Sequence, residues 1–250
     1  MQFLAKYLGN KESNQNRTIM KQKLSFLMTG CMLLVFSAMH AQKPAAFVKA
    51  GVNFSNITIT NDGSVDDNKM LTGFHAGIQG DIPFLPILSL QPGIFFTTKG
   101  AKTQYGQPSD ANYYKATTNP MYIEVPVNLV FKAPVGDESK FYVGAGPYVA
   151  VGVAGKNKID GKILGQSFSS EKTIEWSNDD PTTGFEENAG FGIMRRFDYG
   201  LNGTIGVEGR KAIVSVNYGY GLAKLQSGDN SSADEKNKHR VISVSIGFRL

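Results

Sequence analysis

Few residues of this 250-residue chain could act as a catalytic base. It contains only three histidines, His40, His75 and His239. Nucleophilic catalysis needs a serine or cysteine within hydrogen-bond reach of such a base. Serines are plentiful, but none lies in the Gly-x-Ser-x-Gly turn that exposes a hydrolase nucleophile. His75 could pair with a serine and an acid on the same face of a sheet, but a hydrogen-bonded structural histidine is the simpler interpretation. We therefore expect no enzymatic activity.

Metal and cofactor sites are not expected either. The sequence has no His-x-x-x-His spacing, and Cys31 is its only cysteine, so the ligand sets typical of zinc are missing. The pair Gly144 and Gly146 lies inside a strand-like pattern and opens no helix, so it does not indicate a nucleotide site.

A larger group of charged and polar residues follows a period of two. Alternate side chains of an extended chain point to one face, so these residues are expected on the polar faces of strands. Buried charges need partners, and here five bases, counting His75 only when protonated, face four acids. We predict that they form a polar network inside a closed β-barrel and fill its lumen. The nine residues are Lys49, His75, Asp81, Lys99, Glu124, Lys132, Asp198, Glu208 and Arg249.

Eight segments with alternating apolar and polar residues would position this network. The clearest covers residues 241–250, where Ile242, Val244, Ile246 and Phe248 alternate with polar residues or glycine. About ten residues is the length that a tilted strand needs to cross a membrane. Taken alone, the segment also suits the edge strand of a soluble sandwich. The eight predicted strands are 46–57, 72–84, 87–99, 121–132, 140–155, 197–209, 211–222 and 241–250.

The connections between these segments alternate in length. Three are short, around residues 85–86, 134–139 and 209–210. The others, 58–71, 100–120, 156–196 and 223–238, are long and polar. Short periplasmic turns and long extracellular loops are typical of an outer-membrane barrel. We therefore predict an all-β fold, an eight-stranded antiparallel up-and-down transmembrane barrel.

Aromatic residues near the predicted strand ends suit the girdles at the two membrane interfaces, although buried aromatics would give a similar pattern. They are Phe47, Phe54, Phe74, Phe84, Tyr122, Phe141, Tyr220 and Phe248.

The beginning of the chain has the pattern of a cleavable signal peptide. Two lysines precede an apolar run over residues 24–36, and Ala41 could end the segment. The run is too short for a spanning helix. We assign residues 20–41 to the signal peptide, 1–19 to a mis-assigned start or an extension, and 42–250 to the barrel. Residues 1–41 hold five of the 26 basic residues and one of the 21 acidic ones, so the remainder is nearly neutral. No nucleic-acid partner is expected.

The connection 156–196 is too long for a simple link and contains the only tryptophan, Trp176. Long loops are functional or disordered. Residues 163–176 show some alternation, which favours a protruding hairpin that continues the fifth and sixth strands. Such a hairpin could bind a protein partner by strand addition.

Several segments together resemble the PorT-like outer-membrane β-barrel family of Bacteroidetes. They are VKAGVNFS (48–55), LQPG (90–93), TKGA (98–101), YIEVP (122–126), FYVGAGPY (141–148), YGYGL (218–222) and GFR (247–249). The resemblance implies a small barrel whose C-terminal strand is recognised by the barrel-assembly machinery. That family usually ends on an aromatic residue, where this chain has Leu250, with Phe248 as a substitute. The family's namesake is linked to type IX secretion, a role that the pattern alone does not transfer.

The function expected from the sequence is structural or interactive, with a filled lumen and no open pore. Envelope integrity, surface binding and a part in a secretion or envelope assembly all fit an outer-membrane location in a Gram-negative bacterium, with membrane lipid and lipopolysaccharide as surroundings. One alternative is a barrel enzyme acting on lipid or lipopolysaccharide, which would need a Ser-His pair within hydrogen-bond reach. Another is a soluble periplasmic lipid-binding barrel.

Overall fold

The computed structural model describes residues 44–58, 68–177, 193–225 and 238–250. The predicted signal peptide lies outside these residues. No helix in the described ranges combines the length and the hydropathy needed to cross a membrane. The strands are β1 (Ala45–Thr58), β2 (Asn68–Lys69), β3 (Leu71–Leu85), β4 (Leu88–Thr98), β5 (Ala101–Tyr105), β6 (Tyr113–Val135), β7 (Ser139–Ile163), β8 (Gln166–Thr173), β9 (Glu175–Trp176), β10 (Ile193–Met194), β11 (Phe197–Glu208), β12 (Ala212–Gly221) and β13 (Lys238–Arg249).

Eight of these strands form a closed antiparallel ring, in the order β1, β3, β4, β6, β7, β11, β12 and β13. Each pairs with its neighbours in this order, and β13 returns to pair with β1 from Phe47 opposite Arg249 to Thr58 opposite Lys238. The eight predicted strands correspond to this ring, and the predicted fold class is confirmed. The main difference is that β6 and β7 are far longer than expected, with 23 and 25 residues.

The apolar face of each barrel strand points outward. On β13, Ile242, Val244 and Ile246 are exposed, whereas His239 and Ser245 on the alternate face are buried. The same alternation holds on the other seven strands. A soluble sandwich would instead collect its valines, leucines and isoleucines in a dry core between two sheets. The outward apolar surface is the one that suits contact with lipid.

Two of the predicted girdle aromatics lie inside the barrel instead. Phe47 and Tyr122 are fully buried. Phe47 shares the inward face of β1 with Lys49, and the Arg249 guanidinium lies 5.0 Å from its ring centre. Position near a strand end does not distinguish a girdle from the lumen, because strand parity decides which way the side chain points.

The three short connections lie at one end of the barrel, here called the turn end. The start of β1 and the end of β13 lie there as well. Gly136, with φ of +74°, makes the turn between β6 and β7, where few residues other than glycine are comfortable. The opposite end, here called the loop end, carries the long connections. Parts of these connections fold into a sheet that projects beyond the barrel.

This projecting sheet, here called the outer sheet, consists of β2, β5, residues 113–119 of β6, residues 156–163 of β7, and β8. β7 and β8 form a hairpin through Leu164 and Gly165, both with positive φ. A two-residue turn with positive φ at both positions has the same twist as the two strands that it joins. A hairpin was predicted over residues 163–176, but β7 gains a new partner strand in β8, and the predicted sixth strand is not lengthened.

Candidate functional site

The lumen near the turn end is closed by a cluster of ion pairs. Lys132 on β6 reaches Asp81 on β3 at 2.7 Å and Glu208 on β11 at 2.5 Å. Arg249 on β13 reaches the other oxygen of Glu208 at 2.6 Å. The side chain of Gln91 donates to Asp81 at 3.1 Å. Asp81 and Glu208 lie on opposite walls, so these bonds cross the lumen, and every oxygen of the two carboxylates has a side-chain partner.

A second cluster closes the lumen near the loop end. The Lys99 ammonium lies 2.6 Å from Glu124 and 2.9 Å from Asp198. It also lies 4.1 Å from the centre of the Tyr148 ring, and the Tyr148 hydroxyl donates to Asp198 at 3.2 Å. Two carboxylates and one aromatic face therefore surround a single buried cation, an arrangement that compensates its desolvation.

Neutral partners bind the buried groups halfway along the barrel. The ammonium of Lys49 donates to Gln79 at 2.8 Å and to Ser215 at 3.0 Å. A cavity of about 70 Å³ borders this layer, with His75, Asn217 and further polar side chains in its wall. It has room for a few water molecules.

His75 lies between two hydrogen-bonding partners. Its Nδ1 is 2.7 Å from Asn53 Oδ1, and its Nε2 is 2.8 Å from the Ser245 hydroxyl. The amide nitrogen of Asn53 donates to the carbonyl oxygens of Phe74 and Thr98, so the amide oxygen must be the group that accepts from His75. The proton therefore lies on Nδ1, and Nε2 accepts from Ser245.

An apolar cap covers the loop end above the second cluster. Trp176 packs against it, and its ring meets that of Tyr122 edge to face, with 5.6 Å between centroids. Gly152 leaves the space that the indole fills. Trp176 thus points inward over the barrel mouth. Its predicted place in a partner-binding loop stays a prediction. The buried members of the cap are Ile57, Ala101, Ile174, Met194 and Leu225.

The structure places all nine predicted lumen residues at the inner wall or its rim, but in three separate groups. Lys132, Asp81, Glu208 and Arg249 meet at the turn end, where Arg249 is partly exposed at the rim. Lys99, Glu124 and Asp198 meet at the loop end. Lys49 and His75 lie between these groups and bind neutral partners.

Several lumen residues that make these contacts were absent from the predicted set. Asn53, Gln79, Gln91, Ser215 and Ser245 are all buried on inward faces. The period of two that identified the charged residues applies equally to these neutral polar ones, so the signal was present. The cap left no such signal, because its members come from five distant parts of the sequence, most of them inside polar connections.

The part of the chain that the structure describes holds no group of three or more histidine, cysteine, aspartate or glutamate side chains arranged to bind a metal ion.

A closed antiparallel barrel with an apolar exterior and a polar, filled interior defines a small outer-membrane β-barrel. Residues 41–227 match the family model of the outer membrane protein beta-barrel domain. The match covers most of the chain, and this chain belongs to that family.

Comparison with solved structures finds barrels of the same kind. Ail of Yersinia pestis is 15% identical, with 84% of this chain and 100% of that chain covered and a TM-score of 0.38. OprG of Pseudomonas aeruginosa is 12% identical, with 83% and 95% covered and a TM-score of 0.42. Neisserial surface protein A is 14% identical, with 84% and 99% covered and a TM-score of 0.36. Comparison with curated proteins finds no match.

Replacing Lys132 by methionine should destabilise the barrel by about 3–5 kcal/mol, because Asp81 and Glu208 would remain buried without their shared cation. The free energy of unfolding in urea, followed by the heat-modifiable migration of the folded barrel, measures the effect. Lys211→Met, at an exposed position between β11 and β12 at the turn end, is the matched control and should change little.

Removing the carboxylates as well separates charge from shape. The triple variant Lys132→Met, Asp81→Asn, Glu208→Gln should recover much of the lost stability, since no uncompensated buried charge is left. A triple variant no more stable than Lys132→Met would show that the ammonium acts through packing and not through its charge.

Proposed function

We propose that this protein has a structural and interaction role in the outer membrane and does not conduct solutes. A cleavable signal peptide at residues 20–41 would export it in a Gram-negative bacterium, and the PorT-like barrels of Bacteroidetes are the proposed kin. The turn end would face the periplasm and the loop end the cell exterior. Long loops on the outer side are the usual arrangement of such barrels.

The filling of the lumen carries this proposal. An eight-stranded barrel is only wide enough for side chains. Here ion pairs cross it near both ends, and Tyr122 and Tyr142 are fully buried inside it. The cap adds an apolar layer at the loop end. With the interior occupied, the exterior surfaces and the outer sheet are the parts left to act on other molecules.

Planar-bilayer recording tests the absence of a pore. The full chain, folded and inserted, should give no conductance steps in molar potassium chloride, because ion pairs occupy the lumen near both ends. An open porin inserted in the same bilayer provides the control for the measurement. Reproducible steps from the folded wild-type barrel would contradict the proposal.

The outer sheet supports the interaction role. All eight residues of β8 are exposed, and within the described residues this strand pairs only with β7, so its other edge is available for strand addition. We propose that a protein partner binds in the region 156–196 through this edge. The C-terminal strand β13 is the proposed recognition element for the barrel-assembly machinery, with Phe248 as its exposed aromatic residue.

A photo-crosslinking residue at position 168 of β8 should capture the partner in intact cells. Position 207, an outward-facing site on β11, is the control and should yield no protein adduct, because lipid surrounds it. If neither position 168 nor position 170 gives an adduct, the edge of β8 has no protein partner.

A second candidate function rests on the arrangement of Ser245, His75 and Asn53. The serine hydroxyl donates to a histidine whose other nitrogen is held by an amide oxygen, which is the hydrogen-bond order of a nucleophilic triad. All three side chains are buried, and the adjoining cavity of about 70 Å³ cannot admit a lipid. We therefore propose that the arrangement orients His75 structurally and that the protein is not an enzyme.

Diisopropyl fluorophosphate, a small serine-directed reagent, distinguishes the two interpretations. The folded full chain should show no mass increase after treatment, because Ser245 is inaccessible. A single adduct that is lost in Ser245→Ala and in His75→Ala would instead establish an activated nucleophile.

A further inference from the structure

The outer sheet has two chemically different faces. Cross-strand register sets them: Lys102 lies opposite Thr117, Thr117 opposite Lys158, and Lys158 opposite Glu171. Residues that are register partners share a face. The next row, Gln104, Lys115, Asp160 and Ser169, lies on the same face.

A β-bulge decides which way this face points. Met121 pairs with Ala154 and Tyr122 with Gly152, so Val153 is an extra residue on β7. Below it the outward residues of β7 are odd-numbered, as in Val149 and Val151, and above it they are even-numbered. β6 keeps its odd parity outward throughout. The bulge therefore places the lysines of β7 on the face that continues the lipid-facing surface.

That face carries an excess of positive charge. We call it the lysine face; among the residues whose side chains the structure describes, five lysines and two acids give it a net charge of +3. Two of its ion pairs, Lys156 with Glu171 and Lys158 with Asp160, are solvent-exposed and thus contribute little stability. The five lysines are Lys102, Lys115, Lys156, Lys158 and Lys162, and the acids are Asp160 and Glu171.

The lysine face begins where the apolar belt ends. Val153 is the last exposed valine of β7, and Lys156 follows three residues later. At about 3.3 Å per residue, Lys156 and Lys158 lie roughly 10 and 17 Å further along the tilted strand. At these distances the two lysines lie just beyond the hydrocarbon core, at the level of the membrane headgroups.

We propose that the lysine face binds the phosphate groups of the glycolipid in the outer leaflet of the outer membrane. Charge complementarity and direct continuity with the lipid-facing surface support this ligand. The inference rests on the orientation proposed above, with the loop end outside the cell. Clustered lysines beside a membrane each strengthen binding to anionic headgroups about fivefold.

Bis-phosphorylated lipid A in mixed detergent micelles is the probe, and native mass spectrometry of the folded full chain measures its binding. The variant Lys102→Gln, Lys115→Gln, Lys158→Gln should bind roughly a hundredfold more weakly than wild type. The control Lys140→Gln, Lys172→Gln, Lys211→Gln removes the same charge away from this face and should bind like wild type. Heat-modifiable migration checks that each variant is folded.

Two results of this titration would overturn the proposal: equal binding by the lysine-face variant and wild type, or equal loss in the control. Complete displacement of lipid A by inorganic phosphate at matched phosphate concentration would show a general anion surface and overturn the assignment to glycolipid. Orientation is tested separately by labelling Phe168→Cys in intact cells with a membrane-impermeant maleimide. Failure of that label would place the face away from the outer leaflet.

Discussion

The pairing of β1 with β13 is the constraint on which the rest of the structure depends. Hydrocarbon offers no hydrogen bonds, so a sheet in lipid must satisfy every backbone group within itself and can leave no edge. The twelve register pairs between the first and last barrel strands close that ring. Once it is closed, alternation fixes the two surfaces: both side chains of one register pair face lipid, and both side chains of the next pair along the strands face a narrow interior.

The interior then has to satisfy itself as well. Because eight strands leave space only for side chains, a buried charge has to be compensated by other side chains of the inner wall. Lys132 and Lys99 do this near the two ends, each with two carboxylates on other strands. Glycine makes the bulkiest members fit. A Cβ at Gly206 would lie 2.7 Å from the hydroxyl of Tyr142, and one at Gly51 would lie 2.6 Å from His75.

The sequence was informative wherever apolar and polar residues alternate over many positions, because such alternation identifies a strand and its two faces. It predicted the eight strands and the inward side of Lys49, His75 and the other charged residues. It could not predict how these residues group, since the register between distant strands is not contained in local alternation. Of the outer sheet, the sequence predicted only a protruding hairpin. The other strands were not predicted, because they are short or polar and the bulge at Val153 reverses the parity that the pattern assumes. The packing of Trp176 against the cap could not be predicted, because one aromatic residue in a polar stretch indicates neither a face nor a packing partner.

Ring closure also sets the order of events when the protein is made. The segments that meet in the final seam stand at opposite ends of the polypeptide, so no shortened or half-synthesised chain can complete the cylinder. Contacts between such distant segments form slowly. Until they form, the unpaired edges of β1 and β13 can pair with any other extended chain, which is a hazard for aggregation. The barrel therefore stays open until the last strand, β13, pairs with β1.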